Sequence, residues 1–476
     1  MITDRLPLRI LTRPAPPRAT PFAGSAFTAW SIAFAIGTLF HLWTSASQDS
    51  SFGPVVAFGA FAVLLRPSAP ARLMLLLALL VAEAVTWLPE LSNHQMVVAV
   101  LGLGLVPWWL VTAWRRPAVA YDPAALYDRI GPYLRVGFLV MWASAAFAKL
   151  NTGFLDLAHT CAAWVLGSVP GVTVPAFAVP LVIGGTLAAE LAVPLLLLTH
   201  RTRPCAVVLG LGFHLVSAWA GHASFSGFAW SFYLLFLPPA MLARALVLAR
   251  AAAPARTRRV LAAAAAGPWW IALAPGAAWL LGWWLLPDVL AGPARRFDLV
   301  LYTAWAAACG VLLFRLRDHW LRAPGPVAGL RVRQPLLLVA LAVLLVSVAS
   351  PYLGLKTRGS LTMFSNLRTE PGHWNHLVVP EEARLFGWQD GEVRYLGSDD
   401  AALDRTIAKQ GTQLVLLDLR LIVREHPDAT VRYVLDGTER VAGPVRTDPV
   451  LGGPVTAAQS WFGALRSSPS PAACLQ

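Results

Sequence analysis

Between Phe22 and Tyr352 the chain returns repeatedly to apolar runs, separated by short arginine-bearing loops. Nothing else in the sequence restricts the fold as strongly. A helix of about 20 apolar residues spans the roughly 30 Å hydrocarbon core of a bilayer, and inside hydrocarbon a helix satisfies all of its own backbone groups. Composition agrees: the 476 residues are 57% hydrophobic and 13% charged, against about 25% charged in an ordinary soluble domain. The sequence therefore predicts an all-α polytopic membrane bundle of roughly nine to eleven transmembrane helices over 26–351. A basic tail over 1–25 precedes it, and a small C-terminal domain, β-rich or α+β, occupies 352–476.

The net charge of +13 comes from arginines placed in the loops, which suits anionic lipid and argues against a nucleic-acid partner. Basic loops fall at the N-terminus and at 66–72, 115–129, 200–203, 244–259 and 315–333. All of them lie on one side if the stretch Val260–Leu286 is one broken span. That parity predicts a multi-pass protein of the cell (inner) membrane, with a cytoplasmic N-terminus and an extracytoplasmic C-terminal domain. In that domain, 391–396, 414–423 and 431–434 read as strands or buried segments, and Asp436-Gly437 as a hairpin turn. Cys161 and Cys474 both fall on the extracytoplasmic side, where a disulfide between them could persist.

Within the apolar runs, ionisable residues are the candidates for chemistry. The chain contains only three lysines, Lys149, Lys356 and Lys409, and Lys149 alone lies in a hydrophobic segment. Arginine stays charged wherever it is placed, whereas a desolvated lysine can release its proton and act as a base. The competing expectation is that Lys149 snorkels to the headgroups. His41, Glu83 and His214 are predicted at a similar depth, and Glu190 deeper. No HExxH, GxSxG, Walker or GxGxxG motif occurs in a credible context, and the histidines lack metal-ligand spacing.

The segment Ala146-Phe-Ala-Lys149-Leu-Asn151-Thr-Gly-Phe-Leu-Asp156 resembles the lysine segment of vitamin K-dependent gamma-carboxylases and of the related bacterial HTTM (horizontally transferred transmembrane domain) proteins. Gly212-Phe-His214-Leu-Val-Ser-Ala-Trp219, followed by Phe225-Ser-Gly-Phe228-Ala-Trp-Ser-Phe, resembles the family's histidine helix and the helix after it. Residues 352–357, 363–370 and 375–376 resemble the post-membrane segment of bacterial members. Where the carboxylases carry two lysines, this chain has Ala148-Lys149.

The resemblance implies an enzyme in which Lys149 deprotonates a reduced quinone, with O2 and CO2 as cosubstrates and no metal. By the same resemblance His214 stands beside the reacting centre, while Asn151, Glu190, His222, Phe225 and Phe228 surround the quinone or substrate. Membrane lipid and a small secreted peptide or protein are the implied partners. The alternative is a non-catalytic membrane protein that binds lipid or peptide or helps another protein mature.

Overall fold

The computed structural model describes residues 22–44, 52–267, 293–318, 329–410, 413–463, 465 and 474. Residues 1–21 of the basic tail expected over 1–25, and most of the broken span, 268–286, lie outside the described residues.

The helices are α1 (Ala23–Thr44), α2 (Gly53–Leu65), α3 (Pro70–Thr86), α4 (Asn93–Arg115), α5 (Pro123–Ala148), α6 (Cys161–Gly167), α7 (Val179–Leu198), α8 (Arg203–Ser217), α9 (Ala223–Leu234), α10 (Pro239–Ala252), α11 (Ala255–Ala266), α12 (Pro293–Arg315) and α13 (Pro335–Ala349). Proline opens α2, α3, α5, α7, α8, α10 and α13. Its fixed φ suits the first turn, and its missing N–H would have had no partner there. Five described stretches are long and apolar enough to cross a membrane: Ala23–Leu42, Asn93–Arg115, Pro123–Ala148, Ala176–Leu198 and Arg203–Leu234. The larger predicted number counts shorter apolar helices, Gly53–Leu65, Leu299–Arg315 and Pro335–Ala349 among them.

Two boundaries differ from the sequence expectation. The linker expected at 122–129 is the first turns of α5, capped by Asp122, whose Oδ1 accepts from the Ala124 N–H at 2.9 Å. The apolar run 226–242, long enough to read as one span, breaks at 235–238, because Pro238 and Pro239 cannot continue the helix ladder. The break leaves the Leu235 carbonyl without a helical partner. Arg135, buried in the middle of α5, donates to it from Nε at 2.6 Å.

Close backbone contact sets the centre of the bundle. A Cβ on Gly37 of α1 would lie 2.7 Å from the Gly227 carbonyl oxygen of α9, so Gly37 excludes a larger side chain, and one on Gly227 would sit tightly, 3.1 Å from the Gly37 Cα. Small residues let apolar helices pack this closely. Around the contact lie Phe34, Phe138, Phe228, Phe232 and Tyr233, with Phe138 and Phe232 stacked at 5.4 Å.

The C-terminal domain is a four-stranded antiparallel sheet of β1 (Glu392–Ser398), β2 (Gln413–Val415), β3 (Val431–Leu435) and β4 (Thr438–Ala442), in the order β2-β1-β3-β4. Two helices, α14 (Ala401–Gln410) and α15 (Leu416–Val423), cover it; Leu403, Ile407, Leu419 and Val423 bury against Val393, Val431 and Tyr433. The stretch read as a strand or buried segment over 414–423 is the end of a short strand that passes directly into α15. Asp436 and Gly437, both at positive φ, make the expected hairpin turn.

Residues 352–376 fasten this domain to the bundle. The Asn366 side chain accepts from the Cys161 N–H at 2.7 Å and donates to the His159 carbonyl at 3.0 Å. The Leu361 N–H donates to Asn93 Oδ1 at 2.7 Å, and Asn151 pairs with His376 as an isolated antiparallel bridge. Cys161 and Cys474 are joined by a disulfide.

Candidate functional site

Lys149 caps the C-terminus of α5, where a cation is favoured by the partial negative charge of the last carbonyls. Its side chain does not reach outward. At 3% exposed it turns into the bundle, where Nζ lies 3.0 Å from Oε2 of Glu190 on α7. The same amine donates to the Met363 carbonyl at 3.2 Å and to the Ala145 carbonyl at 3.4 Å, and it lies 5.8 Å from the Phe154 ring centre. Snorkelling is therefore not what forms.

The Met363 carbonyl reaches Lys149 through an unusual backbone. Leu361, Phe364 and Asn366 all have φ between +51° and +59°, the left-handed region, which Asn tolerates but Leu and Phe avoid. Such conformations cost about 1–3 kcal/mol each and persist where surrounding contacts hold them. Here Asn93, Cys161 and His159 supply those contacts.

The Lys149–Glu190 pair lies in the wall of a cavity of about 510 Å³ formed by α5, α6, α7, α8 and the 361–366 segment. Its other walls are largely apolar, with Trp142, Phe154, Phe213 and Phe225 supplying rings. His214 lines it at 1% exposed, packed 5.4 Å from the Trp142 ring and 5.2 Å from Phe225. Neither His214 nitrogen has a hydrogen-bond partner among the described residues. His222 reaches the cavity from a π-helical turn, Ala218–His222, that joins α8 to α9. Gly221 there has φ +99°, which a side chain would resist. Gly185 and Gly212 line the cavity with nothing among the described residues within 4 Å of an added Cβ, and Val208 and Val216 on its rim are exposed apolar residues. The cavity therefore opens through the apolar flank of the bundle.

Of the residues singled out by sequence, the structure brings Lys149, Glu190, His214, His222 and Phe225 to this cavity. It does not bring Asn151 and Phe228. The Asn151 side chain is consumed by the backbone, donating to Ala148 and Ser365 and accepting from the Phe154 N–H. Its role is to fix the turn after Lys149. Phe228 faces the other way, its ring 5.5 Å from His41 and 6.1 Å from His94. Sequence reasoning missed Met363, Phe364 and Cys161 as cavity residues. No glycine stands at the left-handed positions 361, 364 and 366, so nothing in the sequence marked the turn that brings Met363 and Phe364 there. Among the described residues no group of three His, Cys, Asp or Glu side chains could hold a metal ion.

No family model, curated protein or solved structure matches the chain.

Proposed function

We propose that the protein is an integral-membrane enzyme of the HTTM type, related to vitamin K-dependent gamma-carboxylases. It acts at the extracytoplasmic end of its bundle with a reduced isoprenoid quinone, O2 and CO2, on a small secreted peptide or protein. The observation that carries this reading is the Lys149–Glu190 pair, buried at 3.0 Å in an apolar cavity that His214 also lines.

The residues fit such a quinone. A volume of about 510 Å³ is in the range of small-molecule sites, and the walls are apolar with a few convergent polar groups. The exposed apolar rim at Val208 and Val216 would let an isoprenoid chain continue into lipid. When bound, a reduced quinone supplies, with O2, a base strong enough to remove a weakly acidic proton from the substrate.

The chain's own contribution is proton handling. Lys149 is the contact atom and Glu190 the store. The Lys149 ammonium gives a proton to Glu190 Oε2, and the amine so freed takes one from the ligand, so the carboxylate becomes neutral and the re-formed ammonium balances a negative charge in the cavity. His214, with both nitrogens unengaged by the described residues, can accept one hydrogen bond and donate another into the cavity. The apolar walls exclude water that would quench a reactive species.

The test is reconstitution of the full chain in liposomes with a reduced menaquinone or vitamin K, O2 and bicarbonate. Lys149→Arg, with folding retained, should lose about 10²–10⁴-fold of quinol turnover. Full activity in that variant sinks the proton-transfer role, and a wild-type protein that never consumes quinol sinks the quinone. The exposed rim equally favours a non-catalytic lipid-binding protein, for which Lys149→Arg would leave function intact.

A further inference from the structure

Glu83, His41 and His94 form a second buried polar cluster, which the site above does not use. His41 and Glu83 are each 1% exposed, on α1 and α3. His41 Nε2 lies 3.4 Å from Glu83 Oε2, and His41 Nδ1 lies 3.0 Å from Nε2 of His94 at the start of α4. His94 Nδ1 is in turn 3.2 Å from the Ser92 hydroxyl. The two imidazoles meet edge to face at 4.9 Å, with Phe228 against both.

With Glu83 ionised, the chain of contacts has one direction, and with Glu83 protonated it has the reverse. Two neutral imidazoles sharing one hydrogen bond require one to donate and the other to accept. If His94 donates from Nε2, His41 accepts at Nδ1 and carries its own proton on Nε2, toward the Glu83 carboxylate. His94 Nδ1 is then an acceptor facing the Ser92 hydroxyl, which donates to Gln95 Oε1 at 2.8 Å and has to turn from it to serve His94. Glu83 Oε1 is buried and has no hydrogen-bond partner among the described residues. A carboxylate left in that position is expensive, whereas one that can take up a proton is relieved of its charge.

The outer end of the chain opens on a second cavity of about 420 Å³, which Ser92, His94, Ser224 and Arg358 line. His222, Phe225, Met363 and Phe364 border both this cavity and the first. The charged and titratable groups facing His94 from neighbouring elements are His222, Glu90 and Arg358, the last two bridged at 2.9 Å.

We infer that Glu83, His41 and His94 are a proton relay connecting the second cavity to a carboxylate stored inside the bundle, separate from Lys149 and Glu190. In one passage a proton arrives at His94 Nδ1 by way of Ser92. The N–H at His94 Nε2 breaks as one forms at His41 Nδ1, and the N–H at His41 Nε2 breaks as an O–H forms on Glu83. Both imidazoles end neutral with their tautomers exchanged, and the charge of Glu83 is gone. Phe228 fixes the two rings, which is the role the structure gives it.

The inference does not depend on the quinone reading, and its test needs no turnover. Infrared difference spectra of the full-length protein in detergent, taken while pH is stepped and in H2O against D2O, report protonated carboxyls directly. A carboxyl band should titrate, vanish in Glu83→Gln and survive in Glu190→Gln. In His41→Phe, and in the less buried His94→Gln if the first variant does not fold, the band should remain. Its proton–deuteron exchange should slow by more than about tenfold, the signature of a lost transfer step. A wild-type protein with no titrating band that Glu83→Gln removes overturns the relay. So does exchange as fast in the histidine variants as in the wild type.

Discussion

Removing the negative partner of Lys149 tests the centre of the site. In Glu190→Gln the side-chain shape and one acceptor are kept, but the charge that balances the ammonium is lost. Both groups are almost fully buried, at 3% and 6% side-chain exposure, so solvent cannot replace the missing charge. Breaking a buried pair by removing one partner costs about 3–5 kcal/mol. The Met363 and Ala145 carbonyls still accept from Nζ, which puts the expected loss near the lower limit, about 3 kcal/mol. Lys149→Met removes the other charge and leaves Glu190 unbalanced; this should cost as much or more, because among the described residues no hydrogen bond to Glu190 other than the Lys149 contact is seen. Combining the two should recover about 2–3 kcal/mol, since the double variant buries no unpaired charge. The assay is reversible unfolding of the detergent-solubilised chain in a denaturing-detergent titration, run as a double-mutant cycle. Raising the salt should leave the coupling nearly unchanged, because screening acts on exposed charges. Additivity of the two single changes within about 0.5 kcal/mol would refute the pairing.

Gly212→Leu should fill the first cavity at little cost in stability, within about 0.5 kcal/mol, because nothing lies within 4 Å of its Cβ. Binding of a quinol analogue, measured by quenching of tryptophan fluorescence, should be lost; unaltered binding would mean that this is not the ligand cavity. In the C-terminal domain, burial pushes the Asp418 carboxyl up to about 7. An unfolded aspartate titrates near about 3.9, so between these limits the folded chain holds a proton that the unfolded chain has released. Stability contributed by Asp418 is therefore full at acid pH, falls as pH rises toward 7 and is level above. Thermal unfolding of Asp418→Asn across this window should lack that component, and curves parallel to the wild type would count against it. Cys474→Ser should abolish the difference in mobility between reduced and non-reduced protein, which the Cys161–Cys474 disulfide predicts. Gly37→Ala should destabilise the bundle by about 1–3 kcal/mol, as overpacking does, because its Cβ would meet the Gly227 carbonyl at 2.7 Å.

The sequence by itself determined that the chain builds a helical bundle of apolar segments with a small sheet domain after it. Length and hydrophobicity decide that much without reference to neighbours, and prolines marked where most helices begin. It also isolated Lys149, since one lysine in an apolar run is conspicuous among arginines, and it placed the hairpin at Asp436-Gly437. What it could not supply was facing. A membrane-type helix is apolar nearly all round, so periodicity does not say which side meets which neighbour. Only packing turned Glu190 toward Lys149, left Asn151 serving the backbone and put Phe228 beside His41 and His94 instead of His214. The same applies to 361–366, where Leu361 and Phe364, which carry no turn signal, are held in left-handed conformations by contacts from distant parts of the chain. Charges buried in hydrocarbon have to find partners, but which partner each finds is decided by close helix contacts such as Gly37 against Gly227, and these exist only in the folded bundle.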